Sequence, residues 1–134
     1  MENSSQNLVF IVDDDPDDRQ IILEAFLESN SSIDYTFFEN AQELLNNLNE
    51  DGFVLPNLII LDLNMPGIMG LQALKEIRSN KKYSQIPIVV LTTSTLKKDR
   101  VMSYELGASC FLTKPDTFTK LVELVNAVNK LWFF

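Results

Sequence analysis

Four apolar runs in this chain each end on a side chain able to do chemistry. Leu8 to Val12 runs into Asp13-Asp14-Asp15, and Leu58 to Leu61 into Asp62-Leu63-Asn64-Met65-Pro66-Gly67. Ile88 to Leu91 ends on Thr92, and Ala108 to Thr113 on Lys114-Pro115. If these runs are neighbouring parallel strands, Asp13, Asp14, Asp62, Thr92 and Lys114 meet in one shallow pocket beyond the strand ends, where open α/β sheets bind their ligands. Two like charges about 4 Å apart repel by about 4 kcal/mol at an effective dielectric of 20, so such crowding calls for a bound cation. With oxygen donors only, the expected ion is hard, and few carboxylates plus water suit Mg²⁺ better than a Ca²⁺ cage. A carboxylate beside Mg²⁺, an amine and a hydroxyl is equipment for in-line phosphoryl transfer. Asp62 would be the nucleophile, Lys114 would pair with one phosphoryl oxygen and Thr92 would hydrogen-bond another.

Composition narrows the alternatives. The chain has 134 residues, enough for one domain with its own core. It contains no histidine, which removes Ser-His-Asp triads, Cys-His pairs, imidazole metal sites and any phosphohistidine on the chain itself. The single Cys110, inside an apolar run, reads as a strand residue and excludes a disulfide framework. A formal net charge of -8 argues against direct DNA binding, which needs clustered Lys and Arg to replace counterions on phosphate. No apolar stretch approaches the roughly 20 residues of a membrane span, and Met1 to Asn7 lacks the features of a secretory signal. Residues 1–7 are expected to be a disordered leader, 8–134 a single domain with an extended last helix, and the compartment cytoplasmic.

The elements that must position the site follow from periodicity. Apolar runs of four to six residues alternate with segments of helical period, the pattern of a parallel sheet covered on both faces. Five strands are predicted near 8–12, 33–38, 58–61, 87–92 and 108–113. Right-handed crossovers through five helices would connect them. The first helix opens at Pro16 with Asp15 as cap, Asp17 and Asp18 at the positive end of its dipole, and Ile21, Ile22, Ala25 and Phe26 facing the core. The others are predicted at about 40–50 (Leu44, Leu45, Leu48 inward), 70–80 (Leu71, Leu74, Ile77 inward), 97–106 up to Gly107, and from Thr117 to the end.

Taken together, Val12-Asp13-Asp14-Asp15, Asp62 to Gly67 with Gly70, Leu91-Thr92-Thr93 and Thr113-Lys114-Pro115 resemble the receiver domain of bacterial two-component response regulators, in order and spacing, from Leu8 to about Leu131. The resemblance implies a flavodoxin-like, doubly wound α/β fold, a five-stranded parallel sheet of order 2-1-3-4-5 flanked by five helices. It implies Asp62 as phosphoacceptor, Asp14 and Asp62 as side-chain Mg²⁺ ligands, Asn64 as a ligand through its backbone carbonyl, and Asp13 as a partner through water. Thr92 and Phe111 match the family's switch pair, Lys114 its phosphate-contacting lysine, and Pro115 the place of a cis peptide. Asn64 and Ser94 stand where the family modulates the lifetime of the acyl phosphate. Met69 stands where an acid is common, and Phe111 replaces a frequent Tyr. Implied partners are a sensor histidine kinase or histidine phosphotransfer protein and a downstream protein that the sequence does not name. The ending Leu131-Trp132-Phe133-Phe134 resembles stand-alone receivers of phytochrome-type kinases, in which the last helix assists homodimerisation.

Each residue also has a plainer reading. Asp13-Asp14-Asp15 could be a solvated helix cap, Asp62 a turn former, Thr92 to Thr95 a hydroxyl-rich loop, and Phe111 a core aromatic. None of these accounts for all four strand ends at once. Three rival functions follow from the same residues. A phosphate-independent interaction module of this fold would leave the acids unused. A haloacid-dehalogenase-like phosphatase needs a second acid where Asn64 stands. A flavin site needs a phosphate-cradling loop where the first acids lie. The expected protein is therefore a phosphoacceptor that acts on itself and not an enzyme with a separate turnover substrate.

Overall fold

A computed structural model describes residues 7–29, 32–49, 54–64 and 70–133. In chain order the elements are β1 (Asn7–Val12), α1 (Pro16–Ser29), β2 (Ile33–Phe38), α2 (Ala41–Leu48), β3 (Leu58–Leu61), α3 (Gly70–Ser79), a 3-10 turn (Lys81–Tyr83), β4 (Ile88–Thr92), α4 (Lys97–Glu105), β5 (Cys110–Thr113) and α5 (Phe118–Trp132). The strands form one parallel sheet of order β2-β1-β3-β4-β5, so the predicted flavodoxin-like architecture is the one observed.

Buried parallel strands read as unbroken apolar runs because both of their faces are covered. Here β3 and β4 are buried at every position, as are the last four residues of β1, while the edge strands β2 and β5 are only partly covered. Side chains alternate across the sheet. Phe10, Val12, Ile59, Leu61, Ile88 and Val90 pack on one face with Leu44 and Leu48 of α2 and Leu74 and Ile77 of α3. Val9, Ile11, Leu58, Ile60, Val89 and Leu91 pack on the other with Ile22 and Phe26 of α1 and Leu121 and Val125 of α5. Between these layers the three central strands deliver Asp13, Asp62 and Thr92 to one edge of the core.

Local chemistry sets the boundaries. Asn40 caps α2 by accepting the Glu43 N–H, and Thr117 caps α5 by accepting the Lys120 N–H. The helix α4 ends before Gly107, whose φ of +106° favours a residue without Cβ. Leu48 at the end of α2 receives a hydrogen bond on its carbonyl from the Tyr83 hydroxyl, which ties α2 to the turn before β4.

Some expectations shift. Ile21 is exposed and Leu23 is buried, because Ile21 lies over the gap between α1 and the start of α5. Leu71 is only partly buried, and Ala73 takes an inward place beside Leu74 and Ile77. The strand β5 begins at Cys110, not at 108, because the Ser109 hydroxyl accepts the Ile88 N–H in place of a ladder carbonyl. The first strand starts at Asn7, inside the expected leader, and the rest of that leader, Met65 to Met69 and Phe134 lie outside the described residues. Among the described residues, no helix is long and apolar enough to cross a membrane.

Candidate functional site

Asp13 follows the last residue of β1, and Asp62 the last residue of β3. Both are buried, and each is held by a turn of its own making. One oxygen of Asp13 accepts the Asp15 N–H at 3.0 Å, and one oxygen of Asp62 accepts the Asn64 N–H at 3.1 Å. These Asx-type bonds to the backbone two residues on fix the carboxylates without using their second oxygens. The second oxygens meet the Lys114 ammonium, at 2.7 Å from Asp13 and 3.3 Å from Asp62. Asp14 is exposed, yet it offers an oxygen within 4.8 Å of oxygens of both Asp13 and Asp62.

The donor set fits a hard divalent cation. It consists of carboxylate oxygens from strand ends, with exposed Asp14 leaving one side open to water. Electrostatics point the same way. Burial pushes the Asp13 carboxyl above its ordinary range, and the hydrogen bonds from Lys114 and the Asp15 N–H recover only part of that penalty. For Lys114 burial works to lower the pKa, but the hydrogen bonds to Asp13 and Asp18 and the charges of Asp13 and Asp62 outweigh it and raise the value. One amine is thus oversupplied with carboxylates, and the carboxylates are short of positive charge.

The other sequence-predicted residues surround this centre. Thr92, fully buried at the end of β4, accepts hydrogen bonds on its hydroxyl from the Asn64 side-chain amide and the Ser94 N–H, both at 3.3 Å. Asn64 therefore bridges the loops after β3 and β4. Ser94 turns its own hydroxyl to Asp99 in the first turn of α4 at 2.5 Å. Phe111 packs its ring against the core beside α3, and its backbone N–H donates to the Tyr104 hydroxyl at 3.0 Å. Asp15 caps α1, accepting the Asp17 N–H at 2.9 Å, so it serves the helix and not the cluster.

One expectation is corrected. The Lys114-Pro115 peptide is trans, as are all peptide bonds among the described residues. Trans is the intrinsically favoured form by about 0.5–1 kcal/mol even before proline, and from it Lys114 already reaches its carboxylates. Two neighbours were not assigned a place at the site. Asp18, read as a helix-dipole acid, meets Lys114 at 2.8 Å, and Arg19 donates to the Asp13 carbonyl at 2.7 Å. Neither leaves a trace in the sequence: the first needs the tertiary placement of α1 beside Lys114, and the second is a side chain reaching backbone.

The comparisons agree with this geometry. The sequence pattern of the response regulator receiver domain matches residues 9–126. Response regulator Rcp1 of Synechocystis is 31% identical over 135 residues, covering 98% of this chain and 92% of that protein. The crystal structure of the phosphorylated cyanobacterial phytochrome response regulator RcpA superposes with a TM-score of 0.88 at 30% identity, over 95% of this chain and 94% of that one. The Mn²⁺-bound form of Rcp1 superposes with a TM-score of 0.84 at 32% identity, over 94% of each chain. Receiver domains are the phosphoaccepting, partner-signalling modules of two-component systems, and they bind Mg²⁺ or Mn²⁺ at an acidic pocket. Sheet order, strand-end acids and a match running through residues 9–126 leave one assignment: this protein belongs to the response regulator receiver domain family.

Proposed function

We propose that the chain is a stand-alone response regulator that takes a phosphoryl group from a sensor kinase's phosphohistidine onto Asp62. The observation that carries this is the Lys114 ammonium held between buried Asp13 and buried Asp62, beside exposed Asp14. An oxygen of Asp62 attacks phosphorus, the N–P bond breaks, and its electron pair leaves on the imidazole of the donor. Asp14, Asp62 and the Asn64 carbonyl would hold Mg²⁺ directly and Asp13 through water. Bound there, the ion supplies the positive charge that stabilises the developing phosphoryl oxygens. Lys114 pairs with one phosphoryl oxygen, and Thr92 gives its hydroxyl to another.

Phosphorylation adds about one net negative charge at the strand ends. Drawing the Thr92 hydroxyl toward it would release Asn64 and Ser94, and Phe111 would turn inward behind it. That biases α4, β5 and the start of α5, a face that exposes Leu96, Val101, Met102 and Tyr104 and is the proposed partner surface. Similarity to a phytochrome response regulator favours a kinase of that type, in the cytoplasm. Exposed Leu131 at the end of α5 is the proposed start of a homodimer contact.

The test is intact mass after Mg²⁺ and acetyl phosphate, on wild type and Asp62→Asn. One added phosphoryl group on wild type, absent from Asp62→Asn and from samples in EDTA, is the expected result. An unmodified wild type that also ignores a beryllofluoride mimic would move the assignment to a phosphate-independent interaction module.

A further inference from the structure

We infer that Asp18, in the first turn of α1, is a positioning residue for the phosphoryl-transfer reaction, acting through Lys114. The inference rests on the phosphoacceptor reading of Asp62. A lysine ammonium has three N–H groups, and here three carboxylates lie within reach, Asp13 at 2.7 Å, Asp18 at 2.8 Å and Asp62 at 3.3 Å. Asp13 and Asp62 belong to the group of acids able to hold a cation, and Asp18 does not. With a cation present, Asp13 and Asp62 share their charge with it, and Asp18 is the carboxylate left to Lys114 alone.

The surroundings give the amine somewhere else to go. A cavity of about 210 Å³ opens beside Lys114, lined by Asp18, Ile21, Pro115, Phe118 and Leu121 among others. A lysine stem is flexible and would sample that space if nothing held its head. The carboxylate of Asp18 is itself favourably placed at the N-terminus of α1, on a backbone anchored by the Asp15 cap. It therefore anchors Nζ where the ammonium also reaches Asp13 and Asp62. When Asp62 becomes an acyl phosphate, the longest of the three contacts passes from carboxylate to phosphoryl oxygen, while Asp18 keeps the ammonium in place.

The test is a double-mutant cycle on Asp18→Asn and Lys114→Ala, with Asp18→Glu as the charge-restoring variant. The rate of phosphorylation by acetyl phosphate is read by intact mass at saturating Mg²⁺ and donor, so that changed affinity for either ion does not enter. Misplacing a reacting group by about 1 Å costs up to roughly 100-fold, and loosening one of three contacts is expected to slow the saturated rate by about three- to tenfold in Asp18→Asn. Asp18→Glu should recover part of the loss, and Asp18→Asn should have no further effect in the Lys114→Ala background. A readout independent of the reaction is the ¹⁵N–¹H signal of the Lys114 ammonium in metal-free protein. It should be protected from exchange in wild type and broadened or lost in Asp18→Asn. An unchanged or faster rate in Asp18→Asn, an equal loss in both backgrounds, or an unaltered ammonium signal overturns the inference. A wild type that takes up no phosphoryl group overturns the phosphoacceptor reading and the inference with it; phosphorylation of wild type at a rate that Asp18→Asn leaves unchanged overturns the inference alone. Asp18 is partly exposed, and unfolding temperatures of all variants check that each is folded.

Discussion

Asp13 is the residue at which the site's charge imbalance is felt most, because it is the most deeply buried of the carboxylates on Lys114. Its pKa is raised because burial disfavours the charged form by more than Lys114 and the Asp15 N–H restore, so the charge costs the folded, metal-free protein stability. Asp13→Asn keeps an acceptor for the Asp15 N–H and removes the charge, so the metal-free protein should gain roughly 1 kcal/mol, a few degrees in Tm, while losing affinity for Mg²⁺. Thermal melts in EDTA and a Mg²⁺ titration check both halves, and a lower Tm in EDTA would show that the Lys114 pair outweighs the burial penalty. Lys114 carries the opposite pH signature. Its folded pKa lies above the ordinary 10.5, so its contribution to stability is complete below that value and drains as pH rises through and beyond it. Lys114→Met should flatten that alkaline loss, measured as Tm against pH from 9 to 12 in EDTA. At this scale the sequence was informative where a residue type is incongruous, as with a carboxylate ending a run like Leu58 to Leu61. It was silent where an ordinary helix acid such as Asp18 reaches across to the lysine after β5, because only the packing of α1 beside the chain that follows β5 brings it there.

The close approach of Gly70 to the end of β3 is where element geometry bears most directly on the site. Gly70 opens α3 so close to the end of β3 that an added Cβ would lie 2.6 Å from the Asp62 carbonyl oxygen and 2.6 Å from the Leu63 Cα. Both are backbone atoms, so α3 or the strand end must shift. Gly70→Ala should destabilise by about 1–3 kcal/mol, the usual range for overpacking, and should also weaken Mg²⁺ binding because the shift displaces Asp62 and Asn64. Urea melts and a Mg²⁺ titration on this variant check it; a stability loss with unaltered Mg²⁺ binding would confine the strain to α3. The strands were legible to within a residue or two because central parallel strands such as β3 and β4 are apolar at every position. Helix faces were less so. Ile21 and Leu23 are equally apolar, and what chooses between them is the place of α5 beside α1, a tertiary fact without local signature. The start of β5 was misjudged for a similar reason, since the Ser109 hydroxyl takes the Ile88 N–H where a ladder carbonyl was expected.

Across the whole molecule, a net charge of -8 gives any cation two routes to stabilise the fold. Screening of general self-repulsion acts through ionic strength and is indifferent to which salt supplies it. Binding at the strand ends acts by mass action and grows as RT ln(1 + [L]/Kd), about 2.7 kcal/mol at 100 times Kd and roughly 1.4 kcal/mol for each further decade. The two separate cleanly in thermal melts at matched ionic strength. Mg²⁺ should raise Tm by several degrees more than NaCl, with a rise linear in the logarithm of its concentration above Kd, and EDTA should abolish the difference. Asp14→Asn should move the onset to higher Mg²⁺ concentration, because Asp14 is exposed and the change takes a negative charge from the site without disturbing the core. Equal stabilisation by Mg²⁺ and NaCl would mean that the three acids respond only as part of the surface charge, and the metal assignment would fall. A Mg²⁺-specific rise retained in full by Asp14→Asn would instead place the ion on Asp13 and Asp62 alone, with water completing its shell where the exposed side of the site is open.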